Sequence, residues 1–97
     1  MKDMISKNNI SKTDLYVNWY DNGQIALYLR GVGGEPIAEI SINYEGIDLE
    51  ENEFILKDYN ENETLIPQLF DSGKVIPTDR FILVGSHICP ICKLNIP

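Results

Sequence analysis

Apolar and polar residues alternate with a period of two in three stretches of the chain's first half. In DLYVNWY, Leu15, Val17 and Trp19 alternate with Tyr16, Asn18 and Tyr20. In QIALYLR, Ile25, Leu27 and Leu29 alternate with Ala26, Tyr28 and Arg30. In IAEISIN, Ala38, Ile40 and Ile42 fall on one side. This period is that of a strand with one face buried. The aliphatic positions, with Trp19, are therefore expected in the core, and Tyr16, Tyr20 and Tyr28 on the opposite face. The DNG between the first two stretches signals a hairpin, because Asn and Gly both tolerate positive φ. GVGGEP, with Gly31, Gly33 and Gly34, reads as a flexible connection to a third strand antiparallel to the second.

The second half changes period once. EFILK is a short, wholly apolar strand pattern. In DYNENETLIPQLFDSG, Leu65, Ile66, Leu69 and Phe70 form a helical stripe. Pro67 fits if the helix begins near Glu63, since the first turn has no N–H partner to lose. Asn60 or Asn62 is the expected cap, Glu61 and Glu63 favour the positive end of the dipole, and Gly73 supplies the stop. KVIPTDR reads as a strand running into a turn. RFILVG and HICPICKL read as two further strands, with Pro90 forcing an edge position or a bulge. The expected architecture is α+β: an antiparallel sheet of about five strands with one helix packed on a face. It spans residues 14–97, after a polar segment at 1–13.

Composition narrows the partners. A chain of 97 residues makes one domain. A net charge of −7 counts against direct nucleic-acid binding and against docking on an anionic membrane. It fits a protein that meets a basic surface. Neither a signal-like apolar run nor a membrane span is visible, and Cys-x-x-C without a signal does not read as a secreted disulfide framework. The expected location is the cytoplasm. A small core and exposed tyrosine-rich strands predict a homo-oligomer.

Candidate chemistry is sparse, and no nucleophile–base constellation points to an enzyme. His87, Cys89 and Cys92 are the chain's lone His and both its Cys. A structural zinc site needs four ligands, and a thioredoxin-like pair sits at a helix N-terminus. The alternation around ICPIC reads as strand, so the thiols are expected to be buried apolar groups, with no metal or cofactor. Glu61 and Glu63 point apart on a helix and are expected to act in capping. Arg80 is the natural ion-pair partner of Glu61 or Asp58.

Three surfaces remain as binding candidates. The tyrosine face (Tyr16, Tyr20, Tyr28) reads either as a stacking or interface surface or as the floor beneath the helix. The glycine loop is either a mobile connection or a backbone nest in which Gly33 and Gly34, aided by Arg30, touch a ligand. The acidic run of Glu45, Asp48, Glu50, Glu51 and Glu53 is either a solvated face or a negative surface that imitates a phosphate backbone.

The motifs together resemble a family defined by sequence rather than by activity: short proteins encoded on phages, plasmids and integrative elements of Gram-positive bacteria. The matching residues are Asn18, Asn22, Gly23, Ala26 and Leu29 in the first hairpin; Gly34, Glu35 and Pro36 before the third strand; Lys57, Tyr59, Glu61, Asn62 and Glu63; and Pro77, Thr78 and Arg80. The similarity runs over about residues 16–94, and the motifs are specific only together. The tail departs from the pattern: Cys92 matches the family's cysteine, Cys89 stands where relatives carry an aliphatic residue, and His87 has no counterpart. The resemblance implies a phage or mobile-element setting. With the lack of catalytic residues, it leads to the expectation of a non-enzymatic binding protein that counters a bacterial defence system. The preferred form is a sponge for a small nucleotide-type immune signal, using Tyr16, Tyr20, Tyr28, Arg30, Gly33, Gly34 and Arg80. The alternative is an acidic inhibitor whose Glu45–Glu53 surface blocks the basic nucleic-acid groove of a host defence protein.

Overall fold

The computed structural model describes residues 14–95. The polar segment 1–13 lies outside them. Among the described residues seven strands form two sheets, not one sheet of five. Strands β1 (Asp14–Trp19), β2 (Ile25–Arg30) and β3 (Pro36–Glu39) make an antiparallel sheet in the order β1-β2-β3. Strands β4 (Ser41–Ile42), β5 (Glu53–Leu56), β6 (Val75–Val84) and β7 (His87–Leu94) make the second, in the order β4-β5-β7-β6. A 3-10 turn (Asn60–Asn62) and helix α1 (Ile66–Asp71) lie between β5 and β6. No helix among the described residues is long and apolar enough to cross a membrane.

The change from one sheet to two occurs within IAEISIN. The Ile40 amide donates to the Leu27 carbonyl at 2.8 Å, on the first sheet. The Ile40 carbonyl accepts from the Lys57 amide at 2.8 Å, on the second. The Ser41 hydroxyl accepts from the buried Leu27 amide at 2.8 Å and closes the corner. Unbroken alternation hides such a corner, because the side-chain pattern continues while the hydrogen-bond partner changes. Ala38 and Ile40 thus serve one core and Ile42 another.

Ile25, Leu27, Leu29 and Ile40 meet Phe54, Leu56, Leu65, Leu69, Val75 and Cys92 in the main core. Each fully buried large side chain contributes about 1.5–3 kcal/mol. On the other side of the second sheet, Ile55, Cys89 and Ile91 pack with Ile42, Ile47, Leu49, Tyr59, Ile82 and Val84. Strand β5 is buried on both faces, which is why EFIL reads as continuously apolar.

Local details differ from expectation. Helix α1 starts at Ile66, three residues later than the charge pattern implied, with Pro67 in its first turn. Neither asparagine caps it: Leu65 occupies the N-cap position without a side-chain bond. Asn62 is fully buried, and its amide donates to the carbonyls of Glu39 and Lys57 at 2.8 and 2.9 Å. In the first hairpin only Gly23 takes positive φ (88°), and the Gly23 amide donates to the Tyr20 carbonyl. The DNG therefore forms a type I turn closed by a glycine bulge rather than a two-residue primed turn.

KVIPTDR and RFILVG form one strand. A bulge at Thr78 and Asp79, with Asp79 at φ 70°, lets β6 bend without ending. Pro90 sits in an inner strand, not on an edge. It opposes Phe81 on β6, at the point where pairing with β5 has stopped at Ile55 and Ile91. Having no N–H to give, Pro90 ends the β5–β7 ladder and leaves the β6–β7 ladder intact.

Candidate functional site

Strand register places Tyr16 opposite Tyr28, and Tyr28 opposite Glu39. Tyr16, Tyr20 and Tyr28 do share a face, the outer face of the first sheet. Helix α1 is not over it, since Leu65 and Leu69 pack into the main core on the other side. The tyrosines are therefore not the floor of the helix. The Arg30 guanidinium lies 4.4 Å from the centre of the Tyr16 ring, a cation–π contact on an open surface. Tyr20 is engaged differently: its hydroxyl donates to Glu39 at 2.9 Å and lies 3.2 Å from the Ser41 hydroxyl. Burial, reinforced by the Glu39 carboxylate, pushes the phenol up to about 12, so it remains a donor at neutral pH.

The glycine loop closes on itself through a bond from the Gly34 amide to the Gly31 carbonyl at 2.9 Å. The Glu35 side chain packs over it, where a methyl group on Gly31 or Gly33 would strike the carboxylate. A carboxylate in that place opposes the capture of phosphate. Arg80 is not with these residues. It stands on β6 in the second sheet and is ion-paired with Glu53, whose side chain is 3% exposed. Neither Glu61 nor Asp58 is its partner; Glu61 pairs with Lys57 at 3.3 Å. The residues expected to form one nucleotide site are thus divided between two sheets.

The acidic run gathers around a cleft of about 640 Å³ between the first hairpin turn and the 45–51 loop. Glu45, Asp48, Glu50, Glu51 and Glu53 line it, with Trp19, Asn22 and Gln24 on the hairpin side. The Gln24 side chain holds the two walls together. Its amide donates to the Tyr44 carbonyl at 2.8 Å and its oxygen accepts from the Tyr44 amide at 3.0 Å. Glu53 differs from the other four acids. It is buried, accepts from the Glu50 amide at 3.0 Å and binds Arg80. The Arg80 hydrogen bond holds its carboxyl below the usual range. Glu45, Asp48, Glu50 and Glu51 are the exposed charges, and among the described residues no Lys or Arg lines the cleft.

Trp19 is the residue that alternation misplaced. It follows Leu15 and Val17 in phase, yet it is 61% exposed and forms part of the cleft wall. It ends the edge strand β1, and its cross-strand partner Ile25, not the indole, is buried in the main core. An exposed indole beside four free carboxylates suits a cationic group, which gains from the ring face and from the negative field together.

At the tail, Cys89 and Cys92 lie on opposite faces of β7, Cys89 in the second cluster and Cys92 in the main core. Residues three apart on a strand point to opposite sides, so the two sulfurs cannot share a ligand. Both thiols are free, and burial raises both, Cys92 to about 12. His87 stacks on Tyr59 with ring centres 3.8 Å apart. Among the described residues no three His, Cys, Asp or Glu side chains gather as metal ligands.

No family model, curated protein or solved structure matches the chain.

Proposed function

We propose that this chain is a non-enzymatic binding protein whose acidic cleft grips a basic surface of a partner protein. The supporting observation is the coincidence of a cleft of about 640 Å³ with four exposed carboxylates and an exposed tryptophan. An arginine or lysine of the partner enters between Trp19 and the 45–51 loop. The remaining acids then oppose the cations that otherwise hold a nucleic-acid backbone. The resemblance to phage- and plasmid-borne proteins supplies the setting, a bacterial defence protein in the cytoplasm of the host cell. The test is capture of partners from bacterial lysate by the tagged chain at low and high salt. Capture is expected to fall steeply as salt rises, and to be lost in Glu50→Lys/Glu51→Lys and in Trp19→Ala. Capture that ignores both salt and these substitutions excludes the cleft.

The Arg30–Tyr16 contact favours a second reading, sequestration of a nucleotide-type signal on the open tyrosine face. A base stacks on Tyr16 or Tyr28 while Arg30 holds a phosphate. Native mass spectrometry of the protein purified from cells tests it. A nucleotide-sized adduct that disappears in Arg30→Ala supports the sponge, and an adduct indifferent to Arg30 removes this surface from it.

A further inference from the structure

The β6–β7 hairpin has a covered root and an open tip. At the root, Val75 and Cys92 face the main core. Along the same face, Pro90 and Ile88 on β7 oppose Phe81 and Leu83 on β6. Phe81, Leu83 and Ile88 are 61%, 60% and 67% exposed. The face that forms the core at one end is therefore uncovered at the other. The opposite face of the tip is already packed by Ile47, Leu49 and Tyr59.

The same two residues of β6 also present free backbone. Gly85 and Ser86 join the strands, with Val84 opposite His87 and Gly85 at φ 63°. In a two-residue hairpin the pair flanking the turn is hydrogen-bonded, and pairs then alternate. Val84 and Ile82 thus bond to β7, while the N–H and C=O groups of Phe81 and Leu83 point away from it. β6 is the last strand of its sheet, and among the described residues none pairs with its outer side. Edge strands are ordinarily guarded by Lys, Pro or a bulge. Here those guards, Pro77 and the Thr78–Asp79 bulge, precede the FILV run, which carries neither charge nor proline.

We infer that this edge pairs with a second copy of the chain, β6 against β6 about a two-fold axis at Ile82. Register selects that arrangement. Antiparallel partners must face the same side of the sheet, and both must have outward backbone groups. Pairing Phe81 with itself requires Asp79 opposite Leu83, but Asp79 has left the extended conformation at φ 70°. Pairing Leu83 with itself sets Phe81 against Gly85, which is in the turn. Pairing Phe81 with Leu83 of the second copy, and Leu83 with its Phe81, uses four extended residues and makes four hydrogen bonds. Ile82 meets its own copy at the axis. Phe81, Leu83, Ile88 and Pro90 of both copies join into one apolar strip, and the four-stranded sheets merge into one of eight. The strand is self-complementary in hydrogen bonding, shape and polarity, which is why the occupant is the chain itself. This surface differs from the tyrosine face expected to mediate assembly.

The exposed apolar side chains amount to roughly 300–400 Å² per copy, well under the ~800 Å² per partner of a stable standard interface. Association is therefore concentration-dependent, with Kd roughly 0.01–1 mM. Two copies of charge −7 repel, so pairing strengthens as salt rises. Partner capture by the acidic cleft has the opposite salt dependence, so failure of one leaves the other standing.

The test is sedimentation equilibrium of the full chain across that concentration range, with amide exchange read by NMR on the same samples. The mass is expected to rise from 11.0 kDa toward twice that value. The Phe81 and Leu83 amides gain protection in step, while those of Ile82 and Val84 are protected throughout. Leu83→Lys, at an exposed position, raises Kd at least tenfold with an unchanged circular dichroism spectrum. A chain that stays monomeric to 1 mM overturns the inference. So does a dimer in which the Phe81 and Leu83 amides exchange as fast as in the monomer.

Discussion

Arg30 closes the apolar alternation of β2, and Arg80 opens the apolar FILV run of β6. The fold treats them in opposite ways. Arg30 ends β2 on an open face, its charge resting on the Tyr16 ring. Arg80 reaches a carboxylate with 3% exposure while its own side chain remains 50% exposed. One arginine rests on an aromatic ring at the surface; the other is committed to keeping Glu53 ionised inside the protein. The difference lies in the partner's burial, since a desolvated charge without a counter-ion costs far more than a solvated one.

That contrast fixes the order of expected effects. Arg80→Ala leaves a buried carboxylate unpaired and is expected to cost about 2 kcal/mol in urea unfolding, with water at the open end of the pair limiting the loss. A loss under about 0.5 kcal/mol, the level of an exposed pair, removes the distinction between the two arginines. Next in size is acid sensitivity. The Glu53 carboxyl is depressed in the folded state below its ordinary 4.5, chiefly by the Arg80 hydrogen bond. Its stabilisation is present above that ordinary value and is lost as pH falls through the lowered one. Stability of the wild type should therefore drop below pH 4.5, and the curve of Arg80→Ala should be flatter over that interval; parallel curves assign the acid loss to other groups.

A double-mutant cycle with Glu53→Gln sharpens the point. Coupling of about 1 kcal/mol or more between positions 53 and 80 is expected, and additivity would mean that each residue acts alone. The smallest effect belongs to Arg30→Ala, within about 0.5 kcal/mol of wild type by the same unfolding measurement. A larger destabilisation would make the Arg30–Tyr16 contact part of the scaffold rather than an open surface.

Period-two alternation located β1, β2 and β3, and the apolar EFIL located β5, because burial on one face or on two writes directly into residue choice. The tyrosine face followed from the same rule. The corner at Ile40 and Ser41 was not legible: it is made by backbone atoms of Leu27 and Lys57 and by one serine hydroxyl, none of which disturbs the pattern. Asn62 looked like a helix cap because its side chain seeks backbone groups, and it does bond to backbone, but across the fold rather than at the helix. Trp19 keeps the phase of the core residues but ends an edge strand, a position that alternation does not distinguish from an inner one. Of the candidate site, the acidic residues were visible as a run; the cleft was not, since it depends on Gln24 holding Tyr44. Proximity along the chain points Arg80 to Asp58 and Glu61, whereas its partner Glu53 lies across β7 on the same face of the sheet.

The two cysteines on opposite faces of β7 give the chain a pair of internal clocks. Each sulfur is sealed in a different cluster and protonated at neutral pH, so a thiol reagent reacts only during the moments when that cluster opens. Mass analysis after timed alkylation separates Cys89 from Cys92 and reads two opening rates from one molecule without any substitution. Equal rates mean that the layers on either side of the second sheet breathe as one cooperative unit. A faster Cys89 means that the 43–52 loop lifts away while the main core stays shut, and with it the wall of the acidic cleft.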